Sequence, residues 1–189
     1  MSLSQKYRKS LEQRWSLRFK TTHPEGDNID GVVTHNKRKF VVIREERDFR
    51  FDGVLVVAKK CLSGFRDAQL EKCHNAILHH TNEIKNAKSP RWLDKCENIH
   101  DVLVELKQRS IWPGIEIIYD DDSVFYLGPI EQVHDDSVDL NCYDATGKWE
   151  KTYEIDFHEI YRIEFDSDYC NAFNSYMQTI SDTNQAKAD

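Results

Sequence analysis

The sequence predicts a mainly β protein with flanking helices, an α+β chain built as two tandem copies of one small unit. Three observations predict it. Short alternating apolar runs recur between Gly, Pro, Asn and Asp breaks, the pattern of half-buried strands. Apolar stripes at helical spacing flank each set of strands. The order of these elements repeats, because Trp15 and Trp112, like Gly31 and Gly128, stand 97 residues apart. One residue of extra loop then matches Phe40 with Val138, Val42 with Leu140, Leu62 with Ile160 and Phe65 with Ile163. A further slip matches Asp67 with Asp166 and Leu70 with Tyr169. The repeat divides the 189 residues into a first unit over 1–88, a second over 89–180 and a tail over 181–189.

Within the first unit, Ser4 is placed to cap a helix to about Arg14, with Tyr7, Leu11 and Trp15 on one stripe. "WSLRFKT" alternates as a strand, and "HPEGDN" breaks it. "IDGVVTH" and "KFVVIREE" form a hairpin about a basic tip. "DFRFDG" reads as a turn region and "VLVVAKK" as a buried strand of β-branched residues. "CLSGFRD" is a short last strand, and "DAQLEKCHNAILHHTNEIKNAK" is one long helix with Leu70, Cys73, Ile77 and Ile84 returning to one face. In the second unit, Ser89 before Pro90 starts a helix carrying Leu93, Cys96, Ile99, Leu103 and Leu106. "GIEIIYD", "VFYLGPIEQVH", "SVDLNCYD", "KTYEIDF" and "IYRIEFD" follow as strands, broken at "DDDS", "HDDS" and "ATGKW". Tyr169, Phe173, Tyr176, Met177 and Ile180 make a closing helical stripe. From Ser181 on, no apolar periodicity remains, and disorder is expected there.

A helix and five short strands, with a one-turn link between the fourth and fifth, resembles the Sm-like fold, a small bent SH3-type barrel. "YLGPIEQVHDDSVDL" looks like its long bent second strand, tight turn and third strand, with Gly128 at the bend. "KTYEIDFHEIYRIEFDS" looks like strand four, a 3₁₀ turn and strand five. The first unit matches through Gly31, "VVTHNKRKFVVI" and "VLVVAKKCLSGFR". The resemblance covers most of residues 3–168 and implies two tandem Sm-like barrels. It also implies RNA as a ligand and strands four and five as edges for assembly, with a homo-oligomer among the outcomes. The Asp and Asn turn pattern of the uridine-binding members is absent.

Charge assigns the ligand to one unit. The chain is net −7, yet residues 1–88 hold 18 Lys and Arg against 11 Asp and Glu, a net +7. Residues 89–189 hold 8 against 22, a net −14. Phosphate neutralisation by Lys and Arg dominates nucleic-acid affinity. The expected nucleic-acid residues are therefore His35, Asn36, Lys37, Arg38 and Lys39 at the hairpin tip, with Lys59 and Lys60 before the fifth strand. In the second unit His134, Asp135 and Asp136 occupy the same tip, and Asp156, His158 and Glu159 the later turn. Those carboxylates repel phosphate. The alternative is a protein-interaction adaptor using the second unit, where Trp92, Trp112, Tyr143, Trp149 and Phe157 beside Asp144, Glu150 and Asp156 suggest a cage for a cationic group.

Other chemistry is less supported. Cys61, Cys73, Cys96, Cys142 and Cys170 are odd in number and form no CxxC pair, so reduced thiols in a cytosolic protein are expected. Cys73, His80, Cys96 and His100 offer a Cys₂His₂ zinc set if their helices pack antiparallel, but apolar stripes explain the two thiols as core residues. His74 and His79 are further zinc candidates. "DDDS" and "HDDS" lack the ligand spacing of a calcium loop. No GxSxG, HExxH or phosphate-loop signature occurs, so no enzyme and no cofactor are expected. No apolar run approaches the roughly 20 residues of a bilayer span, and "MSLSQKYRKSLEQRW" has no apolar core of a secretory signal.

Overall fold

The structure, a computed structural model, describes residues 3–23, 26–119 and 122–185. It is an α+β protein. The first unit runs α1 (Leu3–Gln13), β1 (Leu17–Thr21), β2 (Asn28–Asn36), β3 (Phe40–Arg47), β4 (Arg50–Ala58), a 3₁₀ turn (Lys59–Cys61), β5 (Leu62–Arg66) and α2 (Gln69–His80). Two 3₁₀ turns (Glu83–Asn86 and Arg91–Lys95) lead to α3 (Ile99–Gln108). Then follow β6 (Gly114–Tyr119), β7 (Asp122–Leu127), β8 (Ile130–Val133), β9 (Ser137–Tyr143), β10 (Trp149–Asp156), β11 (Ile160–Phe165) and α4 (Asp168–Gln185). The expected tail is thus helical as far as Gln185, and residues 186–189 lie outside the described residues.

The expected pair of closed barrels is corrected. The strands form one antiparallel sheet of eight, ordered β5-β1-β2-β3-β4-β11-β6-β7, and one of three, ordered β10-β9-β8. Neither closes into a barrel, for two reasons. The free edge of β4 is taken by β11, with Val54 opposite Phe165 and Val57 opposite Arg162. The second unit's long second strand is interrupted at Gly128 and Pro129 into β7 and β8, which fall in different sheets.

Element ends recur at a near-constant spacing. An offset of 97 or 98 residues carries Leu17 onto Gly114, Asn36 onto Val133, Ala58 onto Asp156 and Leu62 onto Ile160, each a strand end. The two bend glycines also correspond. A Cβ on Gly31 would collide with the Arg44 carbonyl oxygen, and a Cβ on Gly128 with that of Asn141, again 97 residues on. In each unit the second strand presses backbone to backbone on the third, which a side chain would prevent.

The runs "FVVI" and "VLVVA" are apolar on both faces because both faces are buried. Val41, Ile43, Leu55 and Val57 join Tyr7, Leu17, Phe19 and Ile29 in a core under α1. Phe40, Val42, Val54 and Val56 point the other way, into a core supplied by the second unit through Leu93, Leu103, Ile115, Val138 and Ile163. Alternation along a strand thus serves two cores at once.

Three local expectations are corrected. The long helix expected after Asp67 ends at His80, and Asn82 turns left-handed at φ 67° before a 3₁₀ turn. Its inner face is not the expected stripe, since Leu70 is exposed while Glu71, Asn75 and Leu78 are buried. Hydrogen bonds hold that face. Asn75 accepts from Ser16 N and donates to Ser16 O, both at 2.8 Å, and Glu71 accepts from Arg66 at 2.6 Å. The helix expected from Ser89 is instead a 3₁₀ turn, then α3 restarted by Asn98. Its side chain accepts from Asp101 N at 2.9 Å while Asp101 accepts from Glu97 N at 2.8 Å. On α1, Tyr7 is buried but Leu11 is exposed, and the expected Ser4 cap lies outside the described side chains. Among the described residues no helix is long and apolar enough to cross a membrane.

Candidate functional site

The turns of both units meet at one end of the molecule. The β2–β3 tip and the 3₁₀ turn of the first unit face the β8–β9 and β10–β11 turns of the second across a groove of about 1030 Å³. Lys39, Lys59 and Lys60 supply one wall, and Asp135, Asp136 and Asp156 the other. Phe157 and His158 stand on the acidic side, Phe157 N donating to Asp136 O at 2.8 Å, and Ile99 and His100 come from the start of α3, with His100 edge-on to Phe157 at 6.3 Å between ring centroids. The two hairpin tips correspond position by position, so that Arg38 and Lys39 of the first stand where Asp135 and Asp136 stand in the second.

The structure divides the expected nucleic-acid residues into three groups. Lys39, Lys59 and Lys60 line the groove. Asn36 and Arg38 are exposed at the tip beside it. His35 and Lys37 instead turn onto the segment before α3. His35 Nε2 lies 2.9 Å from Asp94 Oδ1, and Lys37 Nζ donates to Glu97 Oε1 at 2.8 Å and to Asp94 O at 2.9 Å. Lys59 donates to the Lys37 carbonyl, and its ammonium pKa is lowered by burial. Lys60 donates to the His158 carbonyl, tying the two units across the groove. The tip is therefore partly an internal clasp. Its anionic partners are Asp94 and Glu97; of the acidic turn Asp120–Asp122, the first two residues lie outside the described residues.

The sequence reading missed Asp94, Glu97 and His100 as neighbours of this site. Their signal was faint: two carboxylates three apart in a segment assigned to a continuous helix. Only the break at Cys96–Asn98 brings that segment onto the tip.

Asp156, His158 and Glu159 offer ligand atoms within 4.8 Å of one another at the groove's edge. Cys73, His80, Cys96 and His100 do not form such a group among the described residues. Cys73 is exposed, while Cys96 is buried and donates to Trp92 O at 3.7 Å. Burial pushes the Cys96 thiol up to about 11, which keeps it protonated and a poor ligand. The aromatic cage is also dispersed. Trp92 stacks on Phe165 at 5.6 Å, Phe157 stands in the groove, and Trp112, Tyr143 and Trp149 pack against one another under α4. Tyr143 donates to Asn174 at 2.7 Å and its phenol pKa is raised by burial. Trp149 keeps an exposed face at the start of β10, which ends the three-stranded sheet.

No family model, curated protein or solved structure matches this chain.

Proposed function

We propose that this chain is a non-catalytic binding module of two fused Sm-like units, and that its end groove takes single-stranded nucleic acid, RNA foremost. The observation that carries the reading is the convergence of Lys39, Lys59 and Lys60 with the Phe157 and His100 rings in one groove. Cations neutralise phosphates and aromatic faces stack bases, the two devices of single-strand binding. The Sm-like reading is supported by five strands in the first unit, five in the second if β7 and β8 count as one interrupted strand, and a one-turn link between the last two strands of each. A bend glycine in each unit adds to it. The junction of β4 with β11, a fourth strand on a fifth, supports it further, since those are the assembly edges the resemblance implies.

The test is anisotropy of a labelled single-stranded RNA against salt. Affinity falls as salt rises, with a slope of about −0.7 per neutralised phosphate. The double reversal Arg38→Glu, Lys39→Glu weakens binding and flattens that slope. It leaves the Lys37–Glu97 clasp intact, so thermal stability is unchanged. Equal affinity of the reversed protein, or binding indifferent to salt, refutes the reading.

One observation favours a second reading, a protein adaptor. Strand β10 has an open edge, exposed Trp149, and outward Glu150, Glu154 and Asp156, which suit an extended cationic segment. Pull-downs with and without nuclease separate the two, since only RNA-bridged partners are lost on digestion.

A further inference from the structure

We infer that the acidic wall of the groove reads a nucleobase through its N–H groups and selects guanine over uracil, an inference that rests on the nucleic-acid reading above. The two walls carry opposite charge. Phosphates approaching Lys39, Lys59 and Lys60 are repelled by Asp135, Asp136 and Asp156. Whatever part of the ligand reaches the far wall must therefore bring hydrogen-bond donors. Ionised carboxylates accept only. Asp135 and Asp136 are exposed in the β8–β9 turn, so water does not have to be displaced from a closed cavity for a base to reach them.

Base chemistry then ranks the ligands. Guanine presents N1–H and N2–H₂ side by side, two donors that match the two oxygens of one carboxylate. Adenine and cytosine offer an amino group beside an acceptor. Uracil offers one N3–H between two carbonyl oxygens, which face a carboxylate with like charge. Single-stranded bases are read on this edge once a ring holds them in place. Phe157 and His100 supply that ring surface beside the acidic wall, Phe157 N donating to Asp136 O at 2.8 Å. The arrangement is a cationic rail for the backbone, and rings beside carboxylates for the base and its donors. The charge reversal between the two repeat tips creates it.

The probes are labelled pentamers UUGUU, UUAUU, UUCUU and UUUUU, with an inosine pentamer that lacks the N2 amine, at one salt concentration, with and without EDTA. UUGUU binds about ten-fold more tightly than UUUUU, the size of one bidentate base contact, and inosine falls between them. Asp135→Asn with Asp136→Asn abolishes the guanine preference and leaves UUUUU binding equal or stronger. Equal binding of all pentamers overturns the inference, as does a uracil preference or a guanine preference that survives both substitutions. Base-indifferent binding that EDTA removes also overturns it, and assigns the carboxylates at Asp156 and Glu159 to a cation instead. If the pentamers bind, and Arg38→Glu, Lys39→Glu weakens all of them without any ranking, only this inference fails. If no pentamer binds, the nucleic-acid reading fails with it.

Discussion

Asp67 ties together residues that the chain separates widely. It accepts from Lys6, from Lys9 at 3.3 Å and from Trp15 Nε1 at 3.4 Å, so one carboxylate just before α2 anchors α1. Burial alone would raise its pKa, but the hydrogen bonds and charges of Lys6 and Lys9 outweigh that and hold it below the ordinary value. A depressed folded pKa means that this contribution is present above the unfolded value near 4 and is lost as pH falls through the folded one. Asp67→Asn is expected to cost about 2 kcal/mol at pH 7 in urea unfolding. The gap between variant and parent starts to narrow below about pH 4 and closes once pH has fallen through the depressed folded pKa, where the parent's carboxylate is also protonated. A gap constant down to pH 2 would show that packing, not charge, holds α1.

At the scale of elements, the bend glycines make a paired prediction. Gly31→Ala drives a Cβ into the Arg44 carbonyl, and Gly128→Ala drives one into that of Asn141, where φ of 157° adds strain. Each is expected to destabilise by about 2 to 3 kcal/mol, measured as a lower urea midpoint at unchanged slope. The strands were legible in the sequence for a simple reason. "FVVI", "VLVVA" and "IYRIEF" hold β-branched residues bounded by turn residues, and two packed faces demand that composition. The "DFRFDG" turn narrowed to Asp48 and Phe49, both with positive φ, joining Arg47 to Arg50. Helix ends were less legible. Asn82 and Asn98 each reset the backbone through local geometry that an apolar stripe running past them conceals. The polar inner face of α2 was hidden likewise, because Asn75 is buried for its two bonds to Ser16, a residue far away in the chain. The groove was half legible. Its charges stand in the sequence, but the diversion of His35 and Lys37 to Asp94 and Glu97 depends on how the linking segment folds.

For the whole molecule, the shared core decides how stability is distributed. Phe40, Val42, Val54 and Val56 belong to the first unit but are covered by the second. Arg162 of β11 adds a charge clasp, with Glu116 at 2.5 Å and with Asp27 of the first unit at 3.7 Å. The two units are therefore expected to unfold together, with tryptophan fluorescence and far-UV circular dichroism giving coincident urea transitions. Val56→Ala is expected to lower both signals' midpoints equally, by about 2 kcal/mol for a buried truncation. Two resolved transitions would show separate folding units. The β4–β11 junction also sets a schedule during synthesis. When β4 leaves the ribosome, the strand that covers it is still about a hundred residues from being made, a delay on the order of 5–20 s. Through that interval Val54 and Val56 lack their cover and the β4 edge lacks its partner, so nascent first units are most prone to stick to one another then.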